Sequence, residues 1–357
     1  METSNQSFPW LELIDRPAFC VKNGVVVAIN TAAERRMLRV GTDIREIVTE
    51  HREKYEEFES GCLYLTITVG ELPCNASVNR TKECDIFFIH QDADDDQLQT
   101  LALAAQQLRI PLSNVMTVTD RLLSSLSEAD ENVQQQAGQI NHSLFQLLRI
   151  IGNMSDAGSY KNGLSTGMQT VDIAAIADEL MEKAQAVSSD LGITLSYSGL
   201  PKPVFSLAHE EKLRRAIYNL LSNAMKFSPA GSTVDVKLNK VGNTVSFTVC
   251  NTNIASAEDQ SFWNRYRREP SIEDGRFGLG LGMTLISAIA SAHKGTVLVD
   301  HPNPGETRVT MTIAITKESS PNVCSPTLRI GDYAGGRDMS LLEFSEILPV
   351  DSYKKIN

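Results

Sequence analysis

Leu213-Arg214-Arg215-Ala216-Ile217-Tyr218-Asn219-Leu220-Leu221-Ser222-Asn223-Ala224-Met225-Lys226-Phe227-Ser228 is the stretch on which the reading of this 357-residue chain turns. Its apolar spacing predicts a helix over Glu210–Phe227. Asn219 and Asn223 are four apart and Lys226 is three further on, so all three project from one helical face. Leu213, Ile217, Leu220, Leu221 and Ala224 occupy the other face, which has to be packed. Carboxamide oxygens suit a hard cation such as Mg²⁺, which keeps most of its waters and bridges to phosphate oxygens. A lysine one turn away supplies positive charge to those phosphates. Taken alone, paired asparagines on a helix read as solvated surface.

A second stretch changes that balance. Gly275-Arg276-Phe277-Gly278-Leu279-Gly280-Leu281-Gly282-Met283 precedes a helix to Ala292, followed by His293-Lys294-Gly295. Alternate glycines before a helix let the backbone approach a phosphate, and the helix N-terminus favours its charge. Alone, such a run marks a tight turn as readily. The two together resemble the histidine kinases: Asn219 to Phe227 is similar to the N-box and Phe262-Trp263-Asn264-Arg265-Tyr266-Arg267-Arg268 to the F-box. Gly278 to Met283, with His293-Lys294-Gly295, is similar to the G2 box. The resemblance implies a dimeric helical hairpin followed by a Bergerat-type ATP-binding domain. Asn219, Asn223, Lys226, Asn251, Arg268, Gly278, Gly280 and Gly282 would hold ATP, with Asn223 on Mg²⁺.

The hairpin is periodic in the sequence itself. Leu101, Ala105, Leu108, Leu112, Val115, Thr119, Leu122 and Leu126 alternate four and three apart. After the polar turn Ser127–Asn132 the spacing returns at Val133, Ala137, Ile140, Leu144, Leu147, Ile151 and Met154. Two heptad seams joined by a tight turn describe an antiparallel helical pair. One pair cannot cover both seams, so a second copy completing a four-helix bundle is expected.

Two departures bear on the chemistry implied. Ala104-Ala105-Gln106-Gln107-Leu108-Arg109-Ile110-Pro111-Leu112 stands where the family has His-Glu-x-Arg-x-Pro-Leu. Gln106 replaces the phospho-accepting His, and a carboxamide is no nucleophile toward phosphorus. Gln107 replaces the adjacent Glu, and an amide at that position cannot take a proton. No residue of the chain is therefore assigned a catalytic role, and trans-phosphorylation at this site is expected to be absent. At the adenine end, Asn251-Thr252-Asn253-Ile254 stands after the strand Val245–Val249, where the family has Asp-x-Gly-x-Gly. Asn251 keeps an acceptor oxygen but loses the charge, which costs ~1–2 kcal/mol and weakens binding roughly tenfold. Asn253 adds a side chain that crowds the base. Weakened binding of ATP with Mg²⁺ is the expectation.

Outward from this core, residues 8 to 92 read as a small α/β module. Strands are expected at Val25–Ile29, Leu63–Val69 and Asp85–His90, with a helix from Asn30 to Leu38 capped by Asn30 or Thr31. Pro17 to Val21, Gly24 and Val27 to Glu34 resemble the start of a PAS domain; an unspecified α/β scaffold would read the same way. The acidic run Asp92, Asp94, Asp95, Asp96 precedes a long helix and suits its positive end. Gly158 to Gly167 reads as a linker. From about 170 to 317 helices and strands alternate: a helix from Val171 to Asp190, strands at Ile193–Tyr197, Thr233–Leu238, Thr244–Val249, Thr296–Val299 and Arg308–Ile315, and a helix at Met283–Ala292. A Ser/Pro-rich hinge leads to an amphipathic stretch, Met339 to Pro349, whose Leu341, Leu342, Phe344, Ile347 and Leu348 form one face to dock on the ATP-binding domain or on a partner, packing within the chain being the plainer use.

The expected architecture is multidomain α+β: a PAS-like α/β module (1–92), an antiparallel dimerisation hairpin (93–158), a linker (159–169), an α/β-sandwich ATP-binding domain of the histidine-kinase type (170–317) and a C-terminal tail (318–357). A net charge of −11 argues against nucleic acid as the main partner. No apolar run is long enough for a membrane span, and the N-terminus lacks a signal-peptide pattern, so a cytoplasmic protein is expected. The six cysteines show no metal-ligand cluster and read as reduced thiols. None of the six histidines stands at the acceptor position; His142 reads as a solvated helix-face residue and His293 as locally hydrogen-bonded. The function expected is a histidine-kinase-like signalling protein, a homodimer that binds nucleotide without phosphorylating itself. It would regulate a partner, a response regulator or another kinase, in a phosphorelay or transcription-control pathway. The alternatives are an active kinase or ATPase acting on another protein, and a dimeric interaction module that binds no nucleotide.

Overall fold

The computed structural model describes residues 8–14, 16–70, 72–90, 92–125, 131–159, 167–252, 281–316 and 337–353, without the side chains of 92–102, 122–125, 156–159 and 281. The N-terminal part carries strands where Val25–Ile29, Leu63–Val69 and Asp85–His90 predicted them, and gains elements that a single apolar run did not reveal. Its sheet contains β1 (Ala18–Lys22), β2 (Val25–Ile29), β3 (Gly61–Val69), β4 (Leu72–Arg80) and β5 (Asp85–Ile89). Three short helices pack on it: α1 (Thr31–Glu34), α2 (Ile44–Ile47) and α3 (Arg52–Glu57). Helix α1 ends earlier than its sequence suggested. Asn30 is its cap, accepting from the Ala33 amide at 2.9 Å and from the Ala18 amide at 3.0 Å. One buried carboxamide thus starts the helix and pins it to β1.

Two long antiparallel helices follow, α4 (Asp92–Ser125) and α5 (Glu131–Ser159). The acidic run lies in the first turns of α4 rather than ahead of it. The heptad seam divides between two faces. Ala105, Leu112 and Thr119 on α4, and Ala137, Leu144 and Ile151 on α5, are buried. Their seam neighbours are not: Leu108 and Val115 are each 51% exposed, Ile140 53% and Leu147 48%. Half of the seam therefore holds the hairpin together, and the other half forms an apolar stripe along its outside.

The third part is a helix-on-sheet sandwich. Its helices are α6 (Ile173–Asp190), α7 (Glu210–Phe227) and α8 (Leu281–Ala292). Its sheet contains β7 (Thr194–Ser198), β9 (Thr233–Val241), β10 (Thr244–Thr252), β11 (Val297–Asp300) and β12 (Glu306–Ala314). β9 and β10 alternate buried and open residues, Val234, Val236 and Leu238 facing the helices with Val245, Phe247 and Val249. A separate two-stranded sheet pairs β6 (Gln169–Asp172) with β8 (Phe205–Ala208), which was not expected from the sequence. Consequently α6 begins at Ile173, where Asp172 accepts from the Ala174 amide, and Gln169 belongs to the sandwich rather than to a linker.

The N-terminal and C-terminal sheets are one. Strand order is β2-β1-β5-β4-β3-β11-β12-β10-β9-β7, with β3 antiparallel to β11 through the pairs Tyr64–Val297, Leu63–Leu298 and Cys62–Val299. Gly61, at the start of β3, has φ +96° and lies so close to β11 that a Cβ would run into the Val299 carbonyl oxygen. Beside the junction Ser291 on α8 shares hydroxyl hydrogen bonding with Thr66 at 2.8 Å and donates to Asn75 at 3.0 Å. The C-terminal segment closes the structure. It carries helix α9 (Met339–Glu343) and buries Leu342, Phe344, Leu348 and Tyr353 against α5 and α7.

At the far end of the sandwich, His293 caps α8. Its Nδ1 lies 2.7 Å from the Ile289 carbonyl, so Nδ1 carries the proton, and Nε2 accepts from the His209 amide at 3.1 Å. Burial holds His293 below the ordinary histidine value. Burial, with Lys212 and His293 nearby, does the same for His209.

Two outcomes follow from this packing. Gly61→Val forces β3 away from β11, so amide exchange rises in Gly61–Val69 and Val297–Asp300 but not in β9; unchanged exchange at the junction would contradict the continuous sheet. For the histidines the unfolded chain binds more protons than the folded one once the pH drops below about 6.5, so stability falls with pH there. The melting temperature should decline from pH 7.5 to 5.5, and His293→Gln should flatten that decline.

Candidate functional site

Helix α7 is the platform. Its packed face is as expected, Leu213, Ile217, Leu220, Leu221 and Ala224 all lying in the core. Asn219 is also buried, its Nδ2 donating to the Arg215 carbonyl at 3.0 Å, one turn back along the helix. Asn223 is half-buried and makes no side-chain hydrogen bond among the described residues. The first turn of α8 approaches these carboxamides through Gly282. A Cβ there would stand 3.5 Å from Asn219 Oδ1 and 3.6 Å from Asn223 Nδ2. The absent side chain leaves a narrow gap between two asparagines and the N-terminus of a twelve-residue helix.

Asn251 continues the inward face of β10 after Val245, Phe247 and Val249, so it points into the layer where α7 packs. It is buried, and its Nδ2 reaches the Thr252 carbonyl at 3.3 Å. Asn219, Asn223, Asn251 and Gly282 are thus gathered on the helix side of one sheet. Arg268, Gly278 and Gly280 lie outside the described residues. Gln106 and Gln107 are exposed on α4.

Lys226 is brought to the same helix end but is not open. Its side chain is 8% exposed, and Nζ lies 2.7 Å from Glu346 Oε2. The Arg149 guanidinium lies 2.8 Å from the other carboxylate oxygen, Oε1. Burial opposes ionisation of Glu346, yet the Arg149 and Lys226 cations together hold its carboxyl below the usual carboxylate range. Further back along α7, Glu343 is completely buried between Arg149 at 3.4 Å and Arg215 at 3.1 Å. Arg215 also donates to Asn153 on α5 at 2.8 Å.

The sequence did not reveal the pairing of Arg149, Arg215, Glu343 and Glu346. Arg149 and Glu343 stand inside apolar runs, Leu147-Leu148-Arg149-Ile150-Ile151 and Leu341-Leu342-Glu343-Phe344, and a charge so placed demands a partner. His142 differs from its expected solvated state: Nε2 lies 2.7 Å from the Ser345 carbonyl, under the C-terminal segment. His293 is locally bonded, as its position implied. Among the described residues no three His, Cys, Asp or Glu side chains group as a metal site, and no helix is long and apolar enough to cross a membrane.

Residues 208–317, from the end of β8 past β12, match the family described as histidine kinase-, DNA gyrase B-, and HSP90-like ATPase. The chain is 25% identical to hybrid signal transduction histidine kinase D of Dictyostelium discoideum over 275 residues, 73% of this chain and 17% of that protein. It is 30% identical to sensor histidine kinase CusS of Escherichia coli strain CFT073 over 199 residues, 55% of this chain and 41% of that one. The chain therefore spans less than half the length of these two relatives. Full-length ShkA, solved in complex with AMPPNP, is 21% identical with a TM-score of 0.48, covering 62% of this chain and 47% of that one. The ATPase family match falls on the very helix that carries Asn219 and Asn223, and the similarity to histidine kinases extends over as much as 73% of the chain, so residues 208–317 form a histidine kinase-, DNA gyrase B-, and HSP90-like ATPase domain.

Proposed function

We propose that this chain is a nucleotide-binding, histidine-kinase-like signalling module that does not phosphorylate its own hairpin. The observation that carries the reading is a conjunction. Asn219 and Asn223 stand against Gly282 at the start of α8, while Gln106 and Gln107 occupy the acceptor and adjacent acid positions on α4. Carboxamides beside a helix N-terminus are the chemistry that a phosphate chain with its Mg²⁺ calls for. Asn223 would hold the metal, Asn219 would orient beside it, and Lys226 would meet the phosphates; Arg268, Gly278 and Gly280 would contribute from the chain between β10 and α8. Asn251 would face the base with a neutral acceptor, so the affinity is reduced. The bound nucleotide supplies a transferable phosphoryl group, and the hairpin offers no imidazole at the expected place to receive it. Regulation of a partner, a response regulator or a second kinase, is the use that remains for such a module.

The exposed half-seam supports a dimer. Leu108, Val115, Ile140 and Leu147 recur at heptad spacing on the outer face of the hairpin, the arrangement a second hairpin would cover in a four-helix bundle. The N-terminal module is read as a PAS-like sensor, and the whole as cytoplasmic.

ATP with Mg²⁺ should raise the melting temperature of the chain, and Asn223→Ala should remove that rise while leaving the unliganded melting temperature within a few degrees. No shift in the parent chain would contradict nucleotide binding. Ile140→Glu, a charge on the exposed stripe, should convert a dimer into a monomer by light scattering at micromolar concentration. A mass unchanged by the substitution, or a monomeric parent, would contradict the bundle.

A further inference from the structure

The C-terminal segment touches the site described above through Lys226 of α7. Two acids on it do different work. Glu343 has no exposure and is held by Arg149 of α5 and Arg215 of α7. Glu346, three residues later, is 29% exposed at its side chain and spans Arg149 and Lys226. Between them the Ser345 carbonyl accepts from Gln146 on α5 at 3.2 Å. Phe344 packs edge-on against Tyr218 of α7, with ring centroids 5.3 Å apart. The segment is therefore bound to the hairpin and to the sandwich at once, and its solvent-accessible acid sits on the lysine at the end of α7.

We propose that residues 338–353 are an autoinhibitory strap, in which Glu346 takes the place of a nucleotide phosphate on Lys226. The inference rests on the reading that Lys226 faces the phosphates. A carboxylate and a phosphate oxygen are alternative anionic partners for one ammonium group. If both anions crowded the same lysine they would repel each other in a poorly hydrated site. Strap docking and nucleotide binding are then linked, and each weakens the other by the same factor. Glu343 supplies the anchor, since its buried charge keeps the strap in register. Glu346 supplies the exchangeable contact, since water already reaches it. Release of Glu346 loosens a segment that ties α5 to α7, so phosphate arrival is felt where the hairpin meets the ATPase sandwich.

The test uses the full chain and ATP with Mg²⁺. Calorimetry on the parent, Glu346→Gln and Phe344→Ala should show about tenfold tighter binding in both variants. Phe344→Ala keeps every charge and only loosens the packing. Glu59→Gln, an exposed acid of the N-terminal module, removes the same net charge and should bind like the parent. In the parent, ATP with Mg²⁺ should also raise amide exchange across residues 338–353. Binding that is equal or weaker in Glu346→Gln and Phe344→Ala, with a parent that binds, overturns the strap and leaves the nucleotide reading standing. No binding by parent or variants overturns both. Tighter binding in Glu59→Gln as well would reduce the effect to net charge and overturn the strap.

Discussion

Glu343 is a carboxylate with no path to water, and the C-terminal half of the molecule is arranged around that fact. Buried, it requires partners, and Arg149 and Arg215 come from two different helices to supply them. Neither arginine could be left in the core without it, because an unpaired buried charge is strongly destabilising. The three residues therefore fix α5, α7 and the C-terminal segment against one another. Arg215 lies one turn before Asn219 and receives that residue's amide on its carbonyl. The orientation of Asn219 thus depends on an ion pair one turn back along the same helix face.

A second constraint joins the ends of the chain. The N-terminal module does not hang from the hairpin; its β3 is a neighbour of β11, and ten strands run without a break. Gly61 marks how close the two backbones are. The N-terminal sheet is thus bonded directly to β11 and, through Thr66 and Asn75, to Ser291 of α8, whose first turn faces Asn219 and Asn223.

Much of this was legible in the residues. The spacing of Leu213, Ile217, Leu220, Leu221 and Ala224 predicted α7 and its packed face, and alternation in Thr233–Leu238 and Thr244–Val249 predicted β9 and β10. Those signals are strong because each element buries one face completely. The strand β8 was illegible: four residues, Phe205-Ser206-Leu207-Ala208, are too few for a period to show. The junction of β3 with β11 was illegible for a different reason, since strand pairing across more than two hundred residues leaves no local mark. Each of the two heptad seams runs unbroken in the sequence, and only packing shows which of its positions face inward, Ala105, Leu112 and Thr119, and which outward, Leu108 and Val115. The role of Lys226 was the least legible, because its partner Glu346 is supplied from the far end of the chain. Isolated charges in apolar runs, Arg149 and Glu343, were the available clue.

As proposed, nucleotide binding and self-phosphorylation are separated in this chain. The proposal rests on Gln106, exposed on α4 within Gln106-Gln107-Leu108-Arg109-Ile110-Pro111-Leu112, the segment that resembles the family's acceptor motif. Incubation of the full chain with γ-labelled ATP and Mg²⁺ tests this most directly. The account predicts no label that is stable to base and labile to acid, the signature of a phosphorylated histidine. Such a label on the hairpin would contradict it.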